Sequence, residues 1–177
     1  MEMEDKKDLL CRLSRALGVR SSGFLWGFGV SVLLYVYGQV DDFDEIDIVV
    51  SREGVRFATS ALASLGPAAQ QALPLLGGDA DFYRSYRIDG VLVHLMSGLR
   101  VRTGRREYAY RFDHRSIPHI LKIGNEELPY TTLEEWKYLY ELTQGHGSEL
   151  MSLNSLFEET GMIFKELYHR MQGGRYL

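Results

Sequence analysis

The chain has 177 residues, 45% of them apolar, 12% aromatic and 25% charged, which suits one folded domain and excludes a disordered segment. Twenty Lys and Arg against 24 Asp and Glu give a formal charge of −4, arguing against a surface devoted to nucleic acid or anionic lipid. The single cysteine, Cys11, excludes an internal disulfide or a thiolate metal cluster. With the acidic start Met1-Glu2-Met3-Glu4-Asp5, which lacks the basic region of an export signal, it leads us to expect a cytoplasmic protein.

Leu9, Leu10, Leu13 and Leu17 recur at helical spacing, so Asp5 to Leu17 is predicted to be an amphipathic helix ended by Gly18, with Cys11 in its core. Ser21 to Val40 carries no charge, but four glycines interrupt it and an acidic run follows, so it fails as a membrane span. It is expected to form a strand at Phe24-Leu25-Trp26, a turn at Gly27-Phe28-Gly29 and a buried helix from Val30 to Tyr37. Ile46-Asp47-Ile48-Val49-Val50 has the β-branched character of a central strand. A helix is expected over 53–65, and a loop or irregular helix over 66–80. Phe82–Ile88 and Val91–Leu95 flank Asp89-Gly90, the signature of a two-residue hairpin turn. Further strands are expected at 106–112 and 120–123. A helix entered at Thr131 or Thr132, with Glu134 and Glu135 near its positive end, should run to Gln144. One or two helices over 149–171, interrupted at Gly161, complete a single domain, 1–177, with a core at 20–125 and a helical part at 130–172.

Two patterns invite chemistry. Alternation along a strand puts Glu45 and Asp47 on one face, Cα atoms roughly 6.5–7 Å apart, where two carboxylates can share a divalent metal. The preceding Gly29 turn opens a helix whose first N–H groups can face a phosphate. The bland alternative is an exposed acidic loop containing Glu45, and an Asp47 that pairs at a strand edge. Between 100 and 122, seven basic residues outnumber Glu107 and Asp113. Tyr108, Tyr110 and Phe112 between them could stack on bases while the arginines meet phosphates, or the arginines could pair with the protein's own carboxylates. His114 and His119 lack a third ligand nearby and are expected in loops. His146 sits on a glycine-flanked tip, and His169 on an exposed helix face. The aromatic run 136–142 is expected to be core or interface. No Walker A, dinucleotide-binding or nucleophile-elbow motif is present.

The order of these elements resembles that of the minimal nucleotidyltransferases of the DNA polymerase β-like superfamily, which include aminoglycoside-modifying and toxin–antitoxin members. The matching residues are Gly29 with Ser31 nearby, Glu45-Ile46-Asp47, the hairpin from Tyr86 to Met96, and Leu128-Pro129-Tyr130-Thr131-Thr132-Leu133-Glu134, across roughly residues 20–145. The resemblance implies an α/β (α+β) fold, a mixed sheet flanked by helices. It also implies a nucleoside triphosphate, ATP first, with Mg²⁺ or Mn²⁺, and transfer of a nucleoside monophosphate to an acceptor hydroxyl. Gly29 and Ser31 would border the triphosphate, Glu45 and Asp47 would bind metal, and a third carboxylate would complete the site. The chain departs from this pattern twice. Val30 follows the turn glycine, and His94 stands at the third carboxylate position, where imidazole is a poor Mg²⁺ ligand but a competent base. Asp89 lies roughly 16 Å away, at the hairpin tip. Two readings follow: an active transferase with His94 as base, or a catalytically degenerate fold that binds a nucleotide or partner protein without turnover. A third is an interaction module that forms a homo-oligomer through the 136–142 and 149–171 helices.

Overall fold

The computed structural model describes residues 3–18, 23–73, 78–143 and 147–173. Helix α1 (Met3–Leu17) is followed by strand β1 (Trp26–Phe28), helix α2 (Val30–Val36), strand β2 (Glu45–Val50), helix α3 (Val55–Leu65) and strands β3 (Ala68–Ala69), β4 (Gly78–Ile88), β5 (Val91–Thr103), β6 (Arg106–Ala109), β7 (His119–Ile123) and β8 (Glu126–Tyr130). Helices α4 (Leu133–Thr143), α5 (Gly147–Thr160) and α6 (Lys165–Gln172) close the chain.

The strands form one mixed sheet in the order β3-β4-β5-β2-β1-β8-β7, with β6 paired to β5. β2 runs parallel to β5 and β1 parallel to β8, whereas the other ladders are antiparallel. Alternation along β2 divides the core. Ile46, Ile48 and Val50 pack with Leu9, Leu10 and Leu13 of α1 and Ala58 and Leu62 of α3. Val49 faces the other way, into a second cluster with Met96, Trp136, Leu139 and Leu153. Glu45 and Asp47 share the parity of Val49 and therefore lie on the α4–α5 side. Lys6 of α1 is buried, donates to Phe43 O at 2.6 Å and pairs with Asp42, which ties α1 to the acidic segment leading into β2.

Several sequence expectations are corrected. The first strand covers 26–28, so Gly27 is a strand residue; a Cβ there would come within 3.3 Å of Thr131 N. The segment expected as a loop or irregular helix contains β3 and the start of β4, because the hairpin strands run well beyond the predicted pair, to 11 and 13 residues. The Asp89-Gly90 turn forms as expected, with φ of +50° and +85°. The strand predicted at 106–112 stops at Ala109, and β8 pairs with β7 across Gly124-Asn125. Gly161, at φ +72°, separates α5 from α6.

The basic strip does not form a stacking surface. Tyr108 and Tyr110 are buried, while Arg100 pairs with Asp79, Asp81 and Glu107, and Arg102 with Glu107. The aromatic run on α4 is also core: Trp136, Tyr138, Leu139 and Tyr140 are buried, so this helix offers no apolar oligomer face. His114 and His169 are exposed, Cys11 is half-buried, and His146 lies outside the described residues. Among the described residues no helix is long and apolar enough to cross a membrane.

Candidate active site

The site is built on β2, β5 and the turn into α2. β1 ends at Phe28, antiparallel to Ile48, and the chain turns at Gly29 into α2. Gly29 N–H donates to Asp47 O at 2.8 Å. An ideal Cβ on Gly29 would lie 2.6 Å from Asp47 Cβ and 3.0 Å from Trp136 Cζ2, so the glycine is required by close approach; its φ of −89° is ordinary. Thr131 secures this corner. Its backbone N–H and its hydroxyl donate to Phe28 O at 2.9 and 2.8 Å, and Trp136 Nε1 donates to Thr131 Oγ1 at 2.6 Å.

The parallel ladder pairs Asp47 with His94, and His94 Nε2 lies 3.2 Å from Glu45 Oε2. The sheet therefore brings Glu45, Asp47 and His94 together, with Gly29 against Asp47. Ser31 stands in the first turn of α2, its hydroxyl buried without a hydrogen-bond partner. The three charged or titratable groups differ sharply in exposure. Asp47 and His94 are buried, whereas the Glu45 side chain is 42% exposed and forms the mouth of the site.

Asp47 is electrostatically strained. Burial pushes its carboxyl up from 3.8 to about 7; positive charge on the His94 ring would oppose the rise, while Glu45 and Glu149 push it further up. Its Oδ1 is buried with no hydrogen-bond partner, an arrangement that is costly for a carboxylate without a cation. Tyr140 of α4 is likewise pushed well above the usual tyrosine range, first by burial and then by Asp47, Glu149 and Glu45. Among the described residues, no group of three or more His, Cys, Asp and Glu is arranged to hold a metal ion. The two carboxylates therefore lack the third acidic ligand that the resemblance calls for.

Sequence reasoning missed the groups around this trio. Tyr83 and Ser85 of β4 both reach His94 Nδ1, each at 2.9 Å. With Gln70, Gln71 and Arg84 they line an open cleft at that edge of the sheet. The signal for Ser85 was present: a two-residue turn at Asp89-Gly90 fixes the register Ile88↔Val91, from which Ser85↔His94 follows. Glu149 carried no such signal, because its effect on Asp47 depends on how α5 packs.

No protein-family model and no curated protein matches the chain. Solved structures do. A candidate nucleotidyltransferase from Thermotoga maritima aligns at TM-score 0.64 and 16% identity, covering 90% of this chain and 96% of that one. ANT(2'')-Ia in complex with adenylyl-2''-tobramycin aligns at TM-score 0.57 and 12% identity, over 96% of this chain and 98% of that one. The antibiotic-resistance factor ANT(2'')-Ia in solution aligns at TM-score 0.59 and 14% identity, over 97% and 91%. Identities this low speak to architecture alone, and on that ground the chain has a nucleotidyltransferase-like fold, a mixed sheet flanked by helices.

Proposed function

We propose that the chain is a metal-dependent nucleotidyltransferase that moves a nucleoside monophosphate from a nucleoside triphosphate to an acceptor hydroxyl. The observation that carries this reading is the Asp47↔His94 register of the β2–β5 ladder, which gathers Glu45, Asp47 and His94 beside the Gly29 turn. The adenylylated compound held by ANT(2'')-Ia makes ATP the first nucleotide to test.

The residues fit one divalent cation, Mg²⁺ or Mn²⁺. Asp47 Oδ1 is buried and unpartnered, and Glu45 opens to solvent beside it. Hard cations are commonly held by one or two carboxylates, with substrate phosphates and water completing the shell. When bound, the cation would neutralise phosphate charge and polarise the phosphoryl group. The chain's own residues do the rest. The missing side chain at Gly29 lets the β1–α2 turn close on Asp47, and Gly29 and Ser31 border the triphosphate. Trp136 packs against Gly29 and, with Val49 and Leu33, belongs to the buried cluster on this side of the sheet. Glu45 and Asp47 hold the metal, and His94 occupies the third position of the site.

A second reading, nucleotide binding without turnover, draws on one specific observation: the third position holds an imidazole and no third acidic ligand stands in its place. Calorimetric titration of ATP with and without Mg²⁺ or Mn²⁺, using Asp47→Asn as control, separates the two. Metal-dependent binding lost in the variant is the outcome expected of the transferase. Metal-independent binding that survives the substitution favours the second reading, and no binding of any triphosphate removes both.

A further inference from the structure

His94 is completely buried, so what its two ring nitrogens touch decides what it can do. Nε2 faces Glu45 Oε2 at 3.2 Å. Nδ1 faces two hydroxyls, Tyr83 Oη and Ser85 Oγ, each at 2.9 Å. Tyr83 O–H also has a carbonyl to donate to, Ala72 O at 2.7 Å. Ser85 Oγ lies 2.9 Å from both Nδ1 and Tyr83 Oη, so its single proton can go to either. A neutral imidazole carries one N–H, and the hydrogen bond made at one nitrogen sets the state of the other. If Nδ1 held that proton, the Nε2 lone pair would point at a carboxylate oxygen, two acceptors in opposition.

We propose that Ser85 and Tyr83 are positioning residues: their hydroxyls hold His94 Nδ1 as an acceptor, so that Nε2–H donates to Glu45 and fixes that carboxylate beside Asp47. His94 is then neither a metal ligand nor a base, because both of its nitrogens are engaged within the protein. The position that would carry a third carboxylate instead carries a group that orients one of the remaining two. Outer partners of this kind commonly change metal affinity by about 10–100-fold. The assignment of Glu45 as a ligand rests on the function proposed above; the orientation of the ring does not.

The test uses the whole chain without nucleotide. Long-range ¹H–¹⁵N spectra of the histidine rings, with the His94 signals identified by comparison with His94→Gln, report which nitrogen is protonated. The expected result is a protonated Nε2 and an unprotonated Nδ1 in the unsubstituted protein. Its loss or exchange with Nδ1 is expected in Tyr83→Phe/Ser85→Ala, and its return in Tyr83→Phe/Ser85→Thr, which restores one hydroxyl. Mn²⁺ titration of the same three proteins should show roughly tenfold or greater weakening in the first double variant and recovery in the second. An unprotonated Nε2, or a protonated Nδ1, in the unsubstituted protein overturns the proposal. So does Mn²⁺ affinity unchanged by loss of both hydroxyls. If the protein takes up no Mn²⁺ while Nε2 is protonated toward Glu45, the metal reading of the site falls and the orientation of Glu45 by His94 stands.

Discussion

Gly29 and Asp47 are in contact through their backbones, with the Gly29 N–H on Asp47 O at 2.8 Å and no room for a methyl group between them. A Cβ at 29 would meet Asp47 Cβ at 2.6 Å and the Trp136 ring at 3.0 Å, and neither is the free end of a flexible chain. Gly29→Ala should therefore destabilise the protein by about 1–3 kcal/mol, the usual cost of overpacking. The same shift would displace Asp47, so nucleotide binding should weaken with it. Urea unfolding gives the first quantity and calorimetry the second; a variant matching the parent in both would show that the turn yields without disturbing the site.

Asp47 makes stability depend on pH. Its carboxyl, at 3.8 ordinarily, stands at about 7 in the folded chain, chiefly because it is buried. The folded state thus holds the proton more tightly than the unfolded one. Below about pH 4 both states are protonated and the group costs nothing; the cost grows from about pH 4 to 7 and is constant above, at up to about 4 kcal/mol. Asp47→Asn removes the ionisation. Unfolding curves should show the variant more stable than the parent at about pH 8, with the difference vanishing near pH 4. A difference independent of pH would mean that Asp47 titrates normally.

Much of this arrangement is written locally in the sequence. The leucine spacing of α1, the β-branched run of β2 and the Asp89-Gly90 turn each depend on neighbours a few residues away, and each forms as expected. The order of Gly29, Glu45 and Asp47 also points to the candidate site. Strand length was harder to read: β4 and β5 run past residues 82 and 95, through charged residues that pair across strands, such as Arg100 with Asp79. The roles of Tyr108, Tyr110 and Tyr140 depend on which side of the sheet α4 and α5 cover, a tertiary fact without a local signature. Asp47↔His94 is of the same kind, since parallel pairing is set by a crossover and not by a turn.

The C-terminal helices are fastened by an ion pair between half-buried Arg170 and buried Glu135 that sequence spacing could not show. Arg170 of α6 donates to Glu135 Oε1 at 2.6 Å and to both Asp113 oxygens at 3.1 and 3.2 Å. Tyr110 and Ser116 also donate to Glu135, at 2.9 and 3.1 Å. Burial raises the Glu135 carboxyl, and Tyr110 and Arg170 oppose the rise. Arg170→Met strands a buried carboxylate and should cost about 3–5 kcal/mol. Adding Glu135→Gln should return part of that loss. A double-mutant cycle in urea reads the coupling directly; additive losses would show that the two side chains act independently.

Cation binding should narrow the stability gap between Asp47→Asn and the parent. Without metal, at about pH 8, Asp47→Asn is expected to melt higher than the parent, because it lacks a buried charge with an unpartnered oxygen. A cation held by Glu45 and Asp47 stabilises only the folded parent, by about 2.7 kcal/mol at a hundredfold excess over its dissociation constant. Mn²⁺ with ATP should then raise the parent's melting temperature and leave Asp47→Asn and Glu45→Gln nearly unmoved, narrowing the gap. The substitution thus stabilises the metal-free protein and abolishes the stabilisation by cation, a combination that general destabilisation cannot imitate. Equal shifts in all three proteins would place the cation elsewhere on the chain.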